Sequence, residues 1–212
     1  MKKIILLIVL IISTFSFSQD AKALLENVAE TTKNYDNIYI EFTHKLDNTA
    51  ANLHQETSGN VNMKGELYRF NYMDIERLFD GTKIYTIISE DKEVVTSEPK
   101  TNNGEIIAPS NILSFYQDGF TYEMDIIQNV KGKKIQFVKL VPTEKDSELK
   151  YIHIGIDTKN NNIYKVIQTG IDDTVTTITV TKMKTNQSIS KQLFIFDKNK
   201  FEKDGYYITE LN

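Results

Sequence analysis

Hydrophobic and polar positions alternate along much of this chain, and the longest such stretch runs from Gly59 to Val95. Val61 and Met63 alternate with Asn60, Asn62 and Lys64, and Tyr68, Phe70 and Tyr72 alternate with Arg69 and Asn71. Successive side chains of a strand point to opposite faces, so each apolar set lies on one side of a sheet. Asp80-Gly81, between Glu76–Phe79 and Lys83–Ile88, predicts a type I′ hairpin, because both central residues of that turn need positive φ. Ser89–Lys92 predicts the next turn. The stretch reads as four or five short strands in an antiparallel meander whose apolar face needs a cover.

Upstream, Ala21, Leu24, Leu25, Val28 and Thr32 recur at helical spacing opposite Lys22, Glu26, Glu30 and Lys33. This predicts an amphipathic helix over Asp20–Tyr35 with Asp20 as N-cap. Ile38–Leu46 alternates, with Ile40, Phe42, His44 and Leu46 facing one way. Asp47–Ser58 is polar and reads as a loop. Beyond Val95, Ser97–Glu105 reads as loop. Ala108–Gln117 reads as a short helix crowded with Ile112, Leu113, Phe115 and Tyr116 and ended by Gly119. It is either an ordinary helix docked on a sheet or a lid over an apolar cavity.

Strands return over Tyr122–Val130, Ile135–Val141, Tyr151–Ile156, Ile163–Thr169 and Val175–Lys182. Turns fall at Lys131-Gly132-Lys133, Thr143–Glu148, Asp157–Asn162 and Gly170–Asp173. Asn186–Ser190 reads as loop and Leu193–Phe196 as a compact apolar edge. The tail from Phe201 reads as a last strand or a segment along the sheet. No internal repeat or linker interrupts Gln19–Asn212, which is read as one domain.

The start of the chain changes where this domain is expected to work. Lys2 and Lys3, the apolar run Ile4–Ile12 and the small residues of Ser16-Phe17-Ser18 have the order of a signal peptide, with cleavage expected after Ser18. The apolar run is short for a membrane span. The expected product is a soluble, exported protein. It has no cysteine, which excludes disulfides, thiol catalysis and a lipid-bearing cysteine of its own. The net charge of −4 grows more negative once Lys2 and Lys3 leave, and no basic stripe offers a surface to nucleic acid. Eleven Tyr and eleven Phe with no Trp suit a β-rich protein.

The residues give catalysis no support. His44, His54 and His153 lie far apart without metal-ligand spacing, and His44 and His153 read as ordinary strand histidines. No serine stands in a Gly-x-Ser-x-Gly turn. Asp74 with Glu76, and Asp172 with Asp173, read as solvated turns. Arg69 and Arg77 are the only arginines, and Arg69, inside an aromatic strand, reads as pairing a carboxylate or holding a strand end. No glycine-rich phosphate cradle or other cofactor motif is present. Apolar faces are plentiful instead. One sheet curling around two helices makes a half-barrel with a lid. A kept cavity lined by Ile, Leu, Phe, Met and Tyr suits acyl chains, each buried methylene contributing roughly 0.8 kcal/mol.

Set side by side, several segments resemble the LolA-like periplasmic lipoprotein carriers: IYIEFTHKL after the first helix, ETSGNVNMKGELYRFNY, RLFDGTKIYTIISEDKEVV, APSNILSFY, FVKLVPTEKDSELKYIHIGID, NNNIYKVIQTGIDDTVTTITVTKMKTNQSIS and FIFDKNKF. Their order spans nearly all of Asp20–Phe201. The resemblance implies a mainly β fold with α, an incomplete, half-open antiparallel β-barrel covered by helices. It also implies an apolar cavity for lipoprotein acyl chains, receipt of cargo from an inner-membrane lipoprotein-releasing transporter and delivery to an outer-membrane acceptor, with no enzymatic step. The Lys-Arg-Pro tripeptide of well-known carriers, whose arginine helps hold the lid closed, is absent. Lys64 is followed by Gly65 and Glu66, and Arg69 is out of step, so that role is not carried over.

The expected acyl-chain site is Ile40, Phe42, Val61, Met63, Phe70, Tyr72, Ile112, Leu113, Phe115 and Tyr116, with no metal and no cofactor, in a protein working as a monomer. The alternative is a periplasmic lipid- or lipoprotein-sensing accessory module on the same scaffold.

Overall fold

A computed structural model describes residues 20–99 and 115–211, which divide into two compact units. The expected signal-peptide segment and residues 108–114 of the expected short helix, Ile112 and Leu113 among them, lie outside the described residues. Twelve strands belong to one sheet of order β12-β6-β5-β4-β3-β2-β1-β11-β10-β9-β8-β7. They are β1 (Ile38–Asn48), β2 (Leu53–Lys64), β3 (Leu67–Tyr72), β4 (Ile75–Phe79), β5 (Ile84–Ile88), β6 (Glu93–Ser97), β7 (Phe120–Val130), β8 (Lys133–Pro142), β9 (Leu149–Asp157), β10 (Asn162–Gly170), β11 (Val175–Thr185) and β12 (Tyr207–Glu210). The chain is thus mainly β with few helices among the described residues.

The first unit holds residues 20–34, 45–55 and 115–179. Helix α1 covers residues 20–33. Its apolar stripe of Ala21, Leu25 and Val28 is buried, as the helical spacing requires, in one cluster with Val138 and Leu140 of β8, Ile152, Ile154 and Ile156 of β9 and Ile163 and Val166 of β10. The alternation of Ile152, Ile154 and Ile156 places all three on this inner face. β7 to β10 pair antiparallel in sequence order, and β10 pairs β11. Lys131 and Gly132, with φ of 49° and 81°, make the two-residue turn between β7 and β8. A bulge sets Asp125 and Ile126 opposite the single residue Phe137. The buried Gln136 amide fastens it, donating at 2.7 Å to the Asp125 carbonyl and 2.8 Å to the Phe137 carbonyl.

The second unit holds residues 35–44, 56–99 and 180–211. β2 to β6 form the antiparallel meander, and β12 adds to β6 in parallel. Its register pairs Val61 with Phe70 and Met63 with Tyr68, and Arg69 with Leu78 and then Tyr85. Residues directly opposite share a face, so the meander has an aromatic face carrying Tyr68, Phe70 and Tyr72 and a second face carrying Arg69, Leu78 and Ile87. The C-terminal segment lies on the second face. A 3₁₀ helix (Lys191–Phe194) buries Phe194. Phe196 stacks on Tyr85 at 4.2 Å and on Phe201 at 5.1 Å. Helix α2 (Lys198–Lys203), capped by Asp197, carries Phe201 to an edge contact with Tyr206.

Four local expectations change. Residues 53–58, expected as loop, are the first half of β2; their side chains are mostly exposed, so backbone pairing holds them without an apolar signature. Asp80-Gly81 does not form a type I′ turn. Gly81 alone has positive φ, and the Asp80 carboxylate accepts from Thr82 N and Lys83 N at 2.8 Å, closing a four-residue loop. The two-residue turn of that hand is Met73-Asp74, with φ of 50° and 60°. Leu193 and Phe194 are in the 3₁₀ helix rather than on a strand edge, and Phe115 and Tyr116 form a turn rather than the end of a helix.

Candidate functional site

Six of the ten expected site residues meet on the aromatic face of the second unit. Ile40 and Phe42 of β1, Val61 and Met63 of β2 and Phe70 of β3 are buried there together with Ile38 and Tyr68. Phe42 lies parallel to Phe70, with ring centroids 6.0 Å apart and planes 5° apart, and stacks on Tyr72 at 6.0 Å. This row crosses β2 at Gly59, the partner of Tyr72 in the register. A Cβ on Gly59 would sit 2.6 Å from the Phe42 ring, so the absence of a side chain lets the ring lie flat across the strand.

Tyr72 ends the apolar row on a polar note. Its hydroxyl receives a hydrogen bond from Thr57 Oγ1 at 3.1 Å and lies 2.8 Å from His44 Nδ1. The Tyr72 hydroxyl and the His44 Nδ1 thus share one hydrogen bond. Burial holds the His44 imidazole below its usual range, which keeps it neutral. The strip therefore offers aliphatic and aromatic carbon over most of its length and a neutral hydrogen-bonding end. His44 and Thr57 were outside the expected site; the signal for His44 was its place in the Ile40, Phe42, His44 alternation.

The opposite face of the same meander carries a half-buried charge pair. Arg69 Nε and Nη2 donate to Glu76 Oε1 at 2.9 and 2.7 Å, and Nη1 donates to the Leu193 carbonyl at 3.1 Å. Arg69 thus pairs a carboxylate, and Glu76 sits on β4 rather than in a solvated turn. Beside the pair, a groove of about 680 Å³ runs past Asn60, Asn71, Lys200, Phe201 and Tyr206.

Phe115 and Tyr116 belong to the first unit, where Tyr116 is buried in the α1 cluster and Phe115 packs against it. Ile112 and Leu113 lie outside the described residues. No group of three or more His, Asp or Glu side chains among the described residues is placed to hold a metal ion.

Known structures share this architecture at low identity. An uncharacterized conserved protein from Thermus thermophilus superposes with a TM-score of 0.60 and 8% identity, covering 91% of this chain and 99% of its own. MucB aligns with a TM-score of 0.52 and 12% identity over 85% of this chain and 64% of its own. LprF from Mycobacterium bovis gives 0.51 and 15% over 82% and 96%. Among curated protein sequences none matches this chain. The family described as "Outer membrane lipoprotein carrier protein LolA" matches residues 33–197, a span from the end of α1 to the cap of α2 that contains the whole aromatic row, and this chain belongs to that family.

Proposed function

We propose that this protein is an exported, periplasmic carrier that shields the acyl chains of lipoproteins between the inner and outer membranes, without enzymatic activity. The observation that carries the reading is the unbroken apolar strip across β1, β2 and β3, from Ile38 to Phe70, which ends in a neutral Tyr72–His44 pair. Acyl chains need carbon surface along their length and no charge, since an unpaired charge in such a site is costly. Cargo arrives from an inner-membrane lipoprotein-releasing transporter and leaves to an outer-membrane acceptor. Family membership supports the same reading.

Native mass spectrometry of the protein purified gently from periplasm tests it. Co-purifying acylated peptides or lipoproteins of several kinds support the carrier. A ligand-free mass with no uptake of an added triacylated peptide rejects it. One dominant protein partner in place of many cargos favours a sensing or accessory module instead.

A further inference from the structure

Tyr116 carries a polar atom that the fold leaves unused. Its side chain is fully buried in the first unit, in a cluster whose other buried members, Leu25, Val28, Leu140 and Ile152 among them, are all hydrocarbon. Its hydroxyl has no hydrogen-bond partner, and among the described residues it is the one buried side-chain oxygen or nitrogen so placed. Other tyrosines are treated differently. Tyr122 Oη donates to the Tyr116 and Gln117 carbonyls at 3.0 and 2.7 Å, Tyr85 Oη to Asp80 at 3.0 Å, and Tyr39 Oη to Glu41 at 2.9 Å. A phenylalanine at 116 fills nearly the same volume without burying an unpaired hydroxyl, which costs the fold the desolvation of that group.

We infer that the Tyr116 hydroxyl is a recognition group for the carbonyl of an ester- or amide-linked acyl chain, which it meets only when such a chain enters the apolar layer of the first unit. This rests on the reading of the protein as an acyl-chain carrier and gives that carrier a chemical preference, at a position in the first unit that is not part of the β1–β3 strip. The partner has to be mostly hydrocarbon to share space with Leu25, Val28 and Ile152, and it has to bring an acceptor. An ester or amide carbonyl at the head of an acyl chain has both properties. Burial pushes the Tyr116 phenol up to about 12, so at neutral pH it keeps its proton and donates. A free fatty-acid anion is a poorer match, because its charge has no counter-ion among these side chains. Position favours exchange as well. Tyr116 stands in a turn, outside any strand or helix, that the Tyr122 hydroxyl holds from below. A shift of that turn moves the hydroxyl without unpairing a strand.

The test compares the purified protein with Y116F, which keeps the ring and removes the hydroxyl. Calorimetric titration uses a dipalmitoylated lipopeptide and its dialkyl-ether counterpart, whose chains match but lack the carbonyls. Y116F should bind the ester ligand roughly three- to tenfold more weakly, the scale of one hydrogen bond, and the ether ligand within about twofold of wild type. Without ligand, Y116F should melt at or above the wild-type temperature, because nothing bonded is lost. Equal changes for the two ligands, no change for either, or a lower melting temperature of ligand-free Y116F overturns the inference while leaving a carrier intact. A wild-type protein that takes up neither ligand overturns the acyl-binding reading itself.

Discussion

The Phe42 ring lies across the backbone of Gly59: a Cβ at that glycine would stand 2.6 Å from Phe42 Cζ and 2.6 Å from the Asn71 carbonyl oxygen. Ring and bare strand are therefore one packing unit. Gly59→Ala should destabilise by about 1–3 kcal/mol through overpacking, and Phe42→Ala by about 3–5 kcal/mol through the lost ring. Together they should cost less than the sum, because removing the ring relieves half the clash. Urea unfolding of the three variants measures this. Strict additivity means the ring does not rest on Gly59.

Gly155 offers a contrast on the first unit. A Cβ there would meet only side chains, Phe137 Cε1 at 2.9 Å and Ile135 Cγ2 at 3.0 Å, with no backbone oxygen as close. Side chains yield where a carbonyl does not. Gly155→Ala should therefore be milder than Gly59→Ala, at about 1 kcal/mol. The two substitutions compared in the same denaturant series decide it; a larger loss at Gly155 contradicts the packing seen at both.

These two pairs also show where sequence reading stopped. The strip from Ile40 to Phe70 was legible, since alternation alone sets which residues share a face. Ile152, Ile154 and Ile156 were legible for the same reason. The role of Gly59 was not, because it depends on a ring from a neighbouring strand. Residues 53–58 gave no apolar signal, their exposed side chains riding on backbone pairing. Met73-Asp74 was missed because methionine seldom takes positive φ, and Asp80-Gly81 misled because its aspartate closes the loop with its side chain. Arg69 was seen as carboxylate-pairing, but choosing Glu76 needs the β3–β4 register, which makes them diagonal neighbours.

Arg69 ties two elements at once, holding Glu76 on β4 and the Leu193 carbonyl of the 3₁₀ helix. Arg69→Met should cost about 1–3 kcal/mol, since Glu76 loses its partner in a site about a quarter exposed. Amide exchange should speed up around Leu193 as well as in β4. Faster exchange in β4 alone means the carbonyl contact does not hold the C-terminal segment.

Two histidines make stability depend on pH just below neutrality. Burial lowers the His44 value; at His153 burial is again the first cause, Lys139 adds to it, and Asp125 opposes it. The unfolded chain then binds protons that the folded chain refuses. Their contribution is fully present above the ordinary histidine value near 6.5 and is lost as pH falls through the lower folded values. Unfolding free energy from urea titrations should fall as pH drops below about 6.5, by at most about 1.4 kcal/mol per pH unit for each histidine. His44→Gln and His153→Gln should each flatten it. Stability that rises on acidification over this range means the charged imidazoles are the ones the fold favours.

Phe70 and Leu78 separate carbon that binds from carbon that only packs. Both are buried on the same meander, yet register puts Phe70 on the aromatic face and Leu78 opposite Arg69 on the other. Replacing either with alanine should cost a few kcal/mol, about 3–5 for Phe70 and 2–5 for Leu78, so the pair is roughly matched for stability. Only Phe70 stacks in the row with Phe42 and Tyr72. If that row receives acyl chains, Phe70→Ala should weaken uptake of a dipalmitoylated lipopeptide by about tenfold, close to the loss of two buried methylenes. Leu78→Ala, assayed well below its melting temperature, should leave uptake within about twofold. Titration of both variants alongside their melts reads the difference. Equal losses of binding at the two positions would mean the aromatic face is ordinary core, and the acyl chains, if bound at all, lie elsewhere.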